Sequence, residues 1–383
     1  MSRAHPLTPF TVAPFTVAHA AAEHWGLAAK ACLEGIQPAL AEANIGFLYT
    51  TEQFGPALSS ILTFLRETTR IEQWVGGAAP GVCAQRDEYR DGGALAVMVG
   101  RLPEGAFRPF ACREPGDFPP DNGAWLTLHG PATGLVHADP RDPSAPELVV
   151  AAAAAGFLAG GFLSGGGPPA QVAGTVKSDG LSGLLLGAEV PVLVGHSQGC
   201  SPIGSVHRVT EAWEGVVMSL DGRPALDVLK EEAGELIARN LRSAAGYIHV
   251  GLPVAGSDTG DYVVRNLLGV DMRQNWLAVG ERLTPGDTLI FVRRDANSAQ
   301  RDLRRMLGDL KARLAGRRIR AAFYFSCIGR GVHMFGQAGR ELALIAEELG
   351  EPPLIGVYAN GEINCDRLYT YTGVLALLPE AAP

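Results

Sequence analysis

Two short stretches carry residue types that could do chemistry. The first is FSCIGRGVHMFG, residues 325–336. A strand is expected to end at Cys327, with Gly329, Arg330 and Gly331 following before the next helix. Glycines after a strand let the backbone approach a ligand closely. Successive amides there can form an anion-binding concavity, and a guanidinium adds a planar fork for a carboxylate or phosphate. The second stretch is Tyr358-Ala359-Asn360-Gly361-Glu362, an Asn-Gly turn carrying an acid, which suits an amine or a hydroxyl. Each has a plain structural alternative. A lone cysteine is commonly a small buried thiol, and Asn-Gly is favoured in tight turns for conformational reasons alone. Cys327 is also a candidate nucleophile, because a neighbouring arginine favours the thiolate. His333 is the nearest base in sequence.

A third stretch, Gly195-His196-Ser197-Gln198-Gly199, fits the G-x-S-x-G nucleophile elbow. That motif requires a strand before the serine and a helix directly after it. Val192, Leu193 and Val194 supply a strand, but Cys200 to Val206 with Pro202 and Gly204 reads as loop and strand. No HGGG-type segment precedes the serine, and no acid or histidine is marked out as its partner. The expectation is a glycine-bearing turn between two strands, with Ser197 inert.

The bulk properties bound the rest. The chain has 383 residues, a net charge of −8, and 47% hydrophobic content, enough for two or three domains with sizeable cores. Its acidic balance speaks against nucleic acid or an anionic membrane as partner. The basic segment 301–320 has apolar residues at helical spacing and reads as a solvated amphipathic helix. Six cysteines lie scattered without C-x-x-C pairs, so no metal site is expected and reduced thiols are. No G-x-G-x-x-G follows a strand, so no dinucleotide, and no other cofactor, is expected. No secretory pattern opens the chain, and the apolar run 148–163 is too short and glycine-rich to span a membrane. A cytoplasmic location is expected.

The elements that must position these residues form an echo. In the first block, Ile45–Tyr49 is a strand, Gln53–Thr68 a helix, 74–83 a strand into a glycine turn, and 94–100 a closing strand. His19–Ile36 before it has helical composition, and the doubled PFTVA at 9–18 suggests an exposed arm or edge strand. The second block has 124–130 as strand, 146–155 as helix, 157–167 as strand into glycine turn and 179–187 as closing strand. The third has 321–327, 339–349, 354–363 and 371–378 in the same roles. This predicts an α/β (α+β) fold of duplicated β-α-β-β units, with sheets covered by helices on one face. Between the second and third blocks lie four further strands, at 248–255, 261–271, 275–283 and 287–294, and then a helix at 297–314. A boundary is placed between domains 1–218 and 219–383.

Residues 321–378 resemble the C-terminal signature of the FIST family, proteins of F-box and intracellular signal transduction. The matching parts are F-x-C-x-G-R-G, an alanine-bearing helix, the G-x-x-x-x-G-E-I turn and the closing strand. LDGRPALDVL (220–229), YVVRNLLGVD (262–271) and DTLIFVRRDA (287–296) are similar to earlier segments of that domain, and residues 45–100 and 124–210 resemble the N-terminal FIST domain. Gly199-Cys200, Pro202-Ile203-Gly204 and Val209-Thr210 occupy the family's places before the L-D-G-x-P-A element, which makes GHSQG an accident of a turn. The resemblance implies a sensory, signal-transducing protein that binds a small ligand such as an amino acid or another small anionic metabolite. No output domain is visible, so a separate signalling partner is expected. The expected site joins Cys327, Gly329, Arg330 and Gly331 to Asn360, Gly361 and Glu362, with Arg330 on a carboxylate and Glu362 or Asn360 on an amine. Two other readings stand beside it: a Cys327-dependent acyl-transfer or amide-hydrolysing enzyme, and a protein-interaction scaffold. Catalysis is the less expected of the roles.

Overall fold

A computed structural model describes residues 14–119, 123–163, 170–234, 247–254 and 262–381, apart from the His333 side chain. The PFTVA copy at 9–13, the 164–167 glycines, residues 235–241 and His333 as a base lie outside the described set.

The chain is a mixed α+β fold in which one unit occurs three times. The first unit runs β1 (Thr16–Ala21), α1 (Trp25–Ile36), β2 (Ile45–Thr51), α2 (Leu58–Thr69), β3 (Gln73–Ala79), β4 (Gly81–Ala84), β5 (Asp87–Tyr89) and β6 (Ala94–Gly100). The second runs β7 (Phe107–Cys112), α3 (Gly123–His129), β8 (Ala132–Ala138), α4 (Ala145–Ala153), β9 (Gly156–Phe162), β10 (Gln171–Ala173), β11 (Thr175–Lys177) and β12 (Leu181–Leu186). The third opens with β13 (Leu193–Gln198) and is interrupted by β14 (Cys200–Trp213), β15 (Val216–Leu220), β16 (Arg223–Pro224), α5 (Ala225–Ala233), β17 (Ile248–Pro253), β18 (Tyr262–Asp271), β19 (Trp276–Val279) and β20 (Thr288–Arg294). It resumes with α6 (Ala296–Leu314), β21 (Ile319–Cys327), α7 (Val332–Phe335), α8 (Arg340–Leu349), β22 (Leu354–Ala359), β23 (Glu362–Asn364), β24 (Arg367–Tyr369) and β25 (Thr372–Pro379).

Each unit builds four strands of a sheet and lends its hairpin to another. The sheets are β1-β6-β2-β3-β10-β11, β7-β12-β8-β9-β23-β24 and β13-β25-β21-β22-β4-β5. The exchange is cyclic, so no unit closes its own sheet. The three inner faces meet in one core containing Phe47, Tyr49, Leu135, Leu184, Phe323 and Phe325. Helices cover the outer faces: α1 and α2 bury Cys32, Ile36, Ile61 and Leu65 on the first sheet, and α6 and α8 bury Leu307, Leu310 and Ile345 on the third. Both strand faces are therefore buried, which explains the near-continuous apolar runs.

A glycine marks the same point in each unit. Gly76, Gly160 and Gly356 pair in parallel with Leu48, Val136 and Tyr324. A Cβ there would fall 1.8, 1.9 and 2.1 Å from the carbonyl oxygen of that partner, so no side chain fits.

The interruption in the third unit is a closed ring of strands. Its order is β14-β20-β17-β18-β19-β15, and β14 pairs again with β15. Helix α5 packs Leu226 and Leu229 against Val209, Val217, Leu277 and Phe291. Residue 218 lies within β15, and strands before it share sheets with strands after it: β13 pairs with β25 and β14 with β20.

Two element expectations are corrected. Residues 124–130 form helix α3, not a strand, and the unit's first core strand is β8 at 132–138. Trp125, Leu126 and His129 are the half-buried positions of 123–129, a helical spacing that the alternating W-L-T-L letters conceal. Residues 19–21 belong to β1, pairing with Ala94–Ala96 of β6, so the helix starts only at Trp25.

Candidate functional site

Strand β21 delivers Cys327 to the inner end of the third sheet. A turn follows, with the Arg330 amide donating to the Cys327 carbonyl at 2.8 Å. Gly331 has φ +94°, and a Cβ there would lie 2.4 Å from an Arg90 nitrogen. The glycine thus lets the loop pass under the Arg90 guanidinium, which lies 3.6 Å from the centre of the Tyr358 ring.

Arg330 turns inward and is 1% exposed. Its Nε donates to Glu341 Oε1 on α8 at 2.7 Å. One terminal nitrogen donates to the Ser197 and Tyr371 carbonyls at 3.1 and 3.3 Å, and the other reaches Ser197 Oγ at 3.4 Å. Glu341 also accepts from Tyr324 and Ser326 hydroxyls at 2.5 and 3.1 Å. The carboxylate gripped by Arg330 is therefore the chain's own, and the guanidinium ties α8, β13 and β25 together.

Glu362 is fully buried. Its Oε2 accepts from the Thr372 amide at 3.2 Å and the Thr372 hydroxyl at 2.8 Å. Oε1 has no hydrogen-bond partner among the described residues. Burial raises the Glu362 pKa to about 8, against the pull of Thr372 and Arg330. Burial likewise pushes the Cys327 thiol up to about 12, with Glu362 adding to the rise and the Gly329 and Tyr371 amides opposing it. Both shifts favour the neutral forms, the thiol and the carboxylic acid.

Asn360 and Gly361 face elsewhere. Their backbone is pinned to β9 by Asn360 N donating to Phe162 O at 3.0 Å and Phe162 N donating to Gly361 O at 2.9 Å. They line an open cleft of about 440 Å³ between the repeat units and the strand ring. One wall is the loop after β8, with Pro140, Asp142 and Pro143; the opposite wall is Arg265, Asn266 and Leu268 of β18. Leu368, Tyr369 and Thr370 close the floor. The β18–β19 register slips between Leu267 and Gly269, leaving Leu268 bulged out and 67% exposed into the cleft. Bulges commonly re-aim a side chain in this way. The ring is fastened to the units around this cleft: Tyr371 Oη donates to Asn266 Oδ1 at 2.7 Å, and Thr370 Oγ1 to Val264 O at 2.8 Å. Arg294 sits over the Tyr371 ring, donates to the Gly329 carbonyl, and carries the same tie to the 327–331 loop.

The seven expected residues thus fall into two groups. Cys327, Gly329, Arg330, Gly331 and Glu362 surround a buried polar cluster, whereas Asn360 and Gly361 line the cleft. Glu341, Thr372, Tyr371 and the cleft wall of β18 were not legible as partners, because each comes from a distant element brought in by sheet order. Ser197 is fully buried in β13 opposite Gly373, and β14 rather than a helix follows it, as the elbow argument required.

Comparison with known proteins matches the FIST N domain to residues 44–223 and the FIST C domain to residues 225–365. The chain belongs to the FIST family. FIST domains are associated with sensory roles in signal transduction. The chain is 37% identical over 196 residues to the uncharacterized Mycobacterium bovis protein Mb0898c, covering 49% of this chain and 50% of that one. It is 36% identical over 214 residues to the uncharacterized Mycobacterium tuberculosis protein Rv0628c, covering 53% and 54%. The chain thus spans about half the length of the curated relatives it matches. Among the described residues of this FIST protein, no helix is long and apolar enough to cross a membrane, and no cluster of three metal-ligating side chains occurs.

Proposed function

We propose that this FIST protein is a cytoplasmic sensory component that binds a small polar metabolite, an amino acid or similar anion, in the cleft between the repeat units and the strand ring. The observation that carries the reading is the cleft itself. Its volume of about 440 Å³ lies within the range of small-molecule sites. It sets apolar walls, Phe162, Leu268 and Leu368, around a few polar groups, Asp142, Arg265 and Asn360. An apolar enclosure with sparse polar groups fixes a ligand's orientation. Both structural parts contribute walls, so an occupant would alter how the ring sits on the units, and a partner protein could read that change. A thermal-shift panel of amino acids, keto acids and nucleotides tests the reading. A specific compound that raises the melting temperature in proportion to its concentration supports it. A panel with no response contradicts it.

A further inference from the structure

A second cavity, of about 430 Å³, lies where the C-terminal ends of α6 and α8 meet the residues leading into β21 and β22. It shares no lining residue with the cleft. Three cations line it: Lys311 from the last turn of α6, and Arg317 and Arg318 from the link to β21. Leu314, Ile319 and Leu349 supply apolar surface. The two acids of the lining are drawn to cations outside it, Glu351 to Arg86 and Glu348 to Arg304 at 4.0 Å. The cations are less committed. Lys311 is exposed and makes no hydrogen bond or ion pair among the described residues. Arg318 Nε stands 3.8 Å from Glu380, on a side chain that is 70% exposed. Arg317 caps the helix, with Nε donating to Leu314 O and Nη2 to Arg313 O, both at 3.0 Å. Those two bonds fix the guanidinium plane and leave Nη1 for another acceptor. Basic residues often complement the negative end of a helix. Arg317 does so here, whereas Lys311 and Arg318 bond to no helix carbonyl among the described residues. The threefold repetition gives a reference. The equivalent helix joins its core strand through residues 37–44 in the first unit and 130–131 in the second, and neither link has a lysine or arginine. The first unit's link turns as a helix at Gln37–Ala39 and packs Leu40 and Ala43 onto the cluster of Ile36 and Ile71. The third unit's link is Ala315-Gly316-Arg317-Arg318, which puts two arginines beside an open cavity instead. The architecture is met by apolar filling at this place, so the cations answer to something else.

We propose that this cavity is a second ligand site, which binds a small organic phosphate. Lys311 and the free Nη1 of Arg317 take the phosphate oxygens, Arg318 adds its charge from the open side, and Leu314, Ile319 and Leu349 take the apolar body. A phosphate group carries nearly two negative charges at neutral pH and several strong acceptor oxygens, which suits three cations drawn from one helix end and one link. An arginine held in one plane orients those oxygens, and a lysine meets them as a mobile point charge. Apolar walls with a few polar groups are the usual make-up of a small-molecule site. In a chain of net charge −8, a local positive site also draws an anion that the rest of the surface repels.

The test titrates the intact chain with phenyl phosphate and follows binding by ligand-observed proton NMR and calorimetry, with inorganic phosphate and benzoate as separate probes of head and body. The proposal predicts a Kd for phenyl phosphate of about 1 mM or tighter, below that of either control probe. Lys311→Met changes an exposed, unpaired position, so it should melt like the parent and bind at least about fivefold more weakly. Lys311→Arg should keep most of the affinity. Lys30→Met, which removes an exposed cation from α1, should bind like the parent. Added salt should weaken binding in the parent. Phenyl phosphate that does not bind at about 10 mM, or that binds no better than benzoate or inorganic phosphate, overturns the proposal. So does equal affinity in Lys311→Met and the parent. The two sites share no residue, so this failure leaves the sensory reading of the cleft standing, and a cleft ligand should bind Lys311→Met as it binds the parent.

Discussion

Arg330 and Glu341 meet at 2.7 Å with both side chains out of solvent, 0% and 2% exposed. The pair joins the 327–331 loop to α8, and through the Ser197 and Tyr371 carbonyls to β13 and β25. Breaking a buried pair by removing one partner typically costs about 3–5 kcal/mol, because the other charge stays uncompensated. Arg330→Ala should therefore lower stability by about that much in urea melts. A joint Arg330→Met, Glu341→Leu change should recover a large part of the loss. Arg330→Ala with unchanged stability would contradict the pairing.

Glu362 predicts a pH dependence of opposite sign to that of a paired carboxylate. Its folded pKa is raised from 4.5 to about 8, so above pH 4.5 the unfolded chain releases a proton that the folded chain keeps. Stability is then lost as pH climbs from 4.5 to about 8 and is level above it, by an amount on the order of a few kcal/mol. Glu362→Gln, the residue type already tolerated at Gln171, should flatten this slope and be at least as stable as the parent near pH 8. A steeper slope in the variant would refute the assignment.

The acid limb should come from buried histidines. Tyr49 Oη and His137 Nε2 lie 2.7 Å apart in the shared core, and burial lowers the His137 pKa to about 3. His249, packed on Tyr371, is lowered to about 4 by burial and by Arg294. Their unfolded forms bind protons below pH 6.5 while the folded forms do not, so stability falls as pH drops from 6.5 towards 3. Replacing both Tyr49 and His137 by Phe copies the third unit, where Phe325 holds the equivalent place, and leaves no orphaned hydroxyl. The double variant should lose less stability between pH 6 and 4 in urea melts.

The three glycines test the repeat. Alanine at Gly76, Gly160 or Gly356 would press a methyl against a strand carbonyl in every unit. Overpacking of this kind costs about 1–3 kcal/mol or more. All three variants should fall in that range by chemical denaturation; a neutral one would mean its unit is not built like the others.

The threefold echo was legible because each unit repeats strand, helix, glycine and closing strand at comparable places. The hairpin exchange was not, because β4, β10 and β23 pair with strands from other units, and no local pattern records a non-local partner. The same reason split the expected site. Arg330 reads as a ligand-binding fork in sequence, but its carboxylate lies on α8, and Glu341 looks there like an ordinary first-turn acid. The strand ring's four later strands were readable; the bulge that aims Leu268 was not, since it depends on the register between β18 and β19. Helix α3 was missed because Trp125-Leu126-Thr127-Leu128 reads as a strand by residue type, while its half-buried positions Trp125, Leu126 and His129 fall at helical spacing.

The cleft carries the central claim, and Leu268 is its cleanest probe, being 67% exposed and outside the ring's buried core. For a compound that shifts the melting temperature, titration calorimetry should be run on the parent and on Leu268→Glu. The account predicts that the variant melts like the parent without ligand and binds at least about tenfold more weakly, roughly 1.4 kcal/mol. Equal affinity in a normally folded variant would show that the metabolite binds elsewhere.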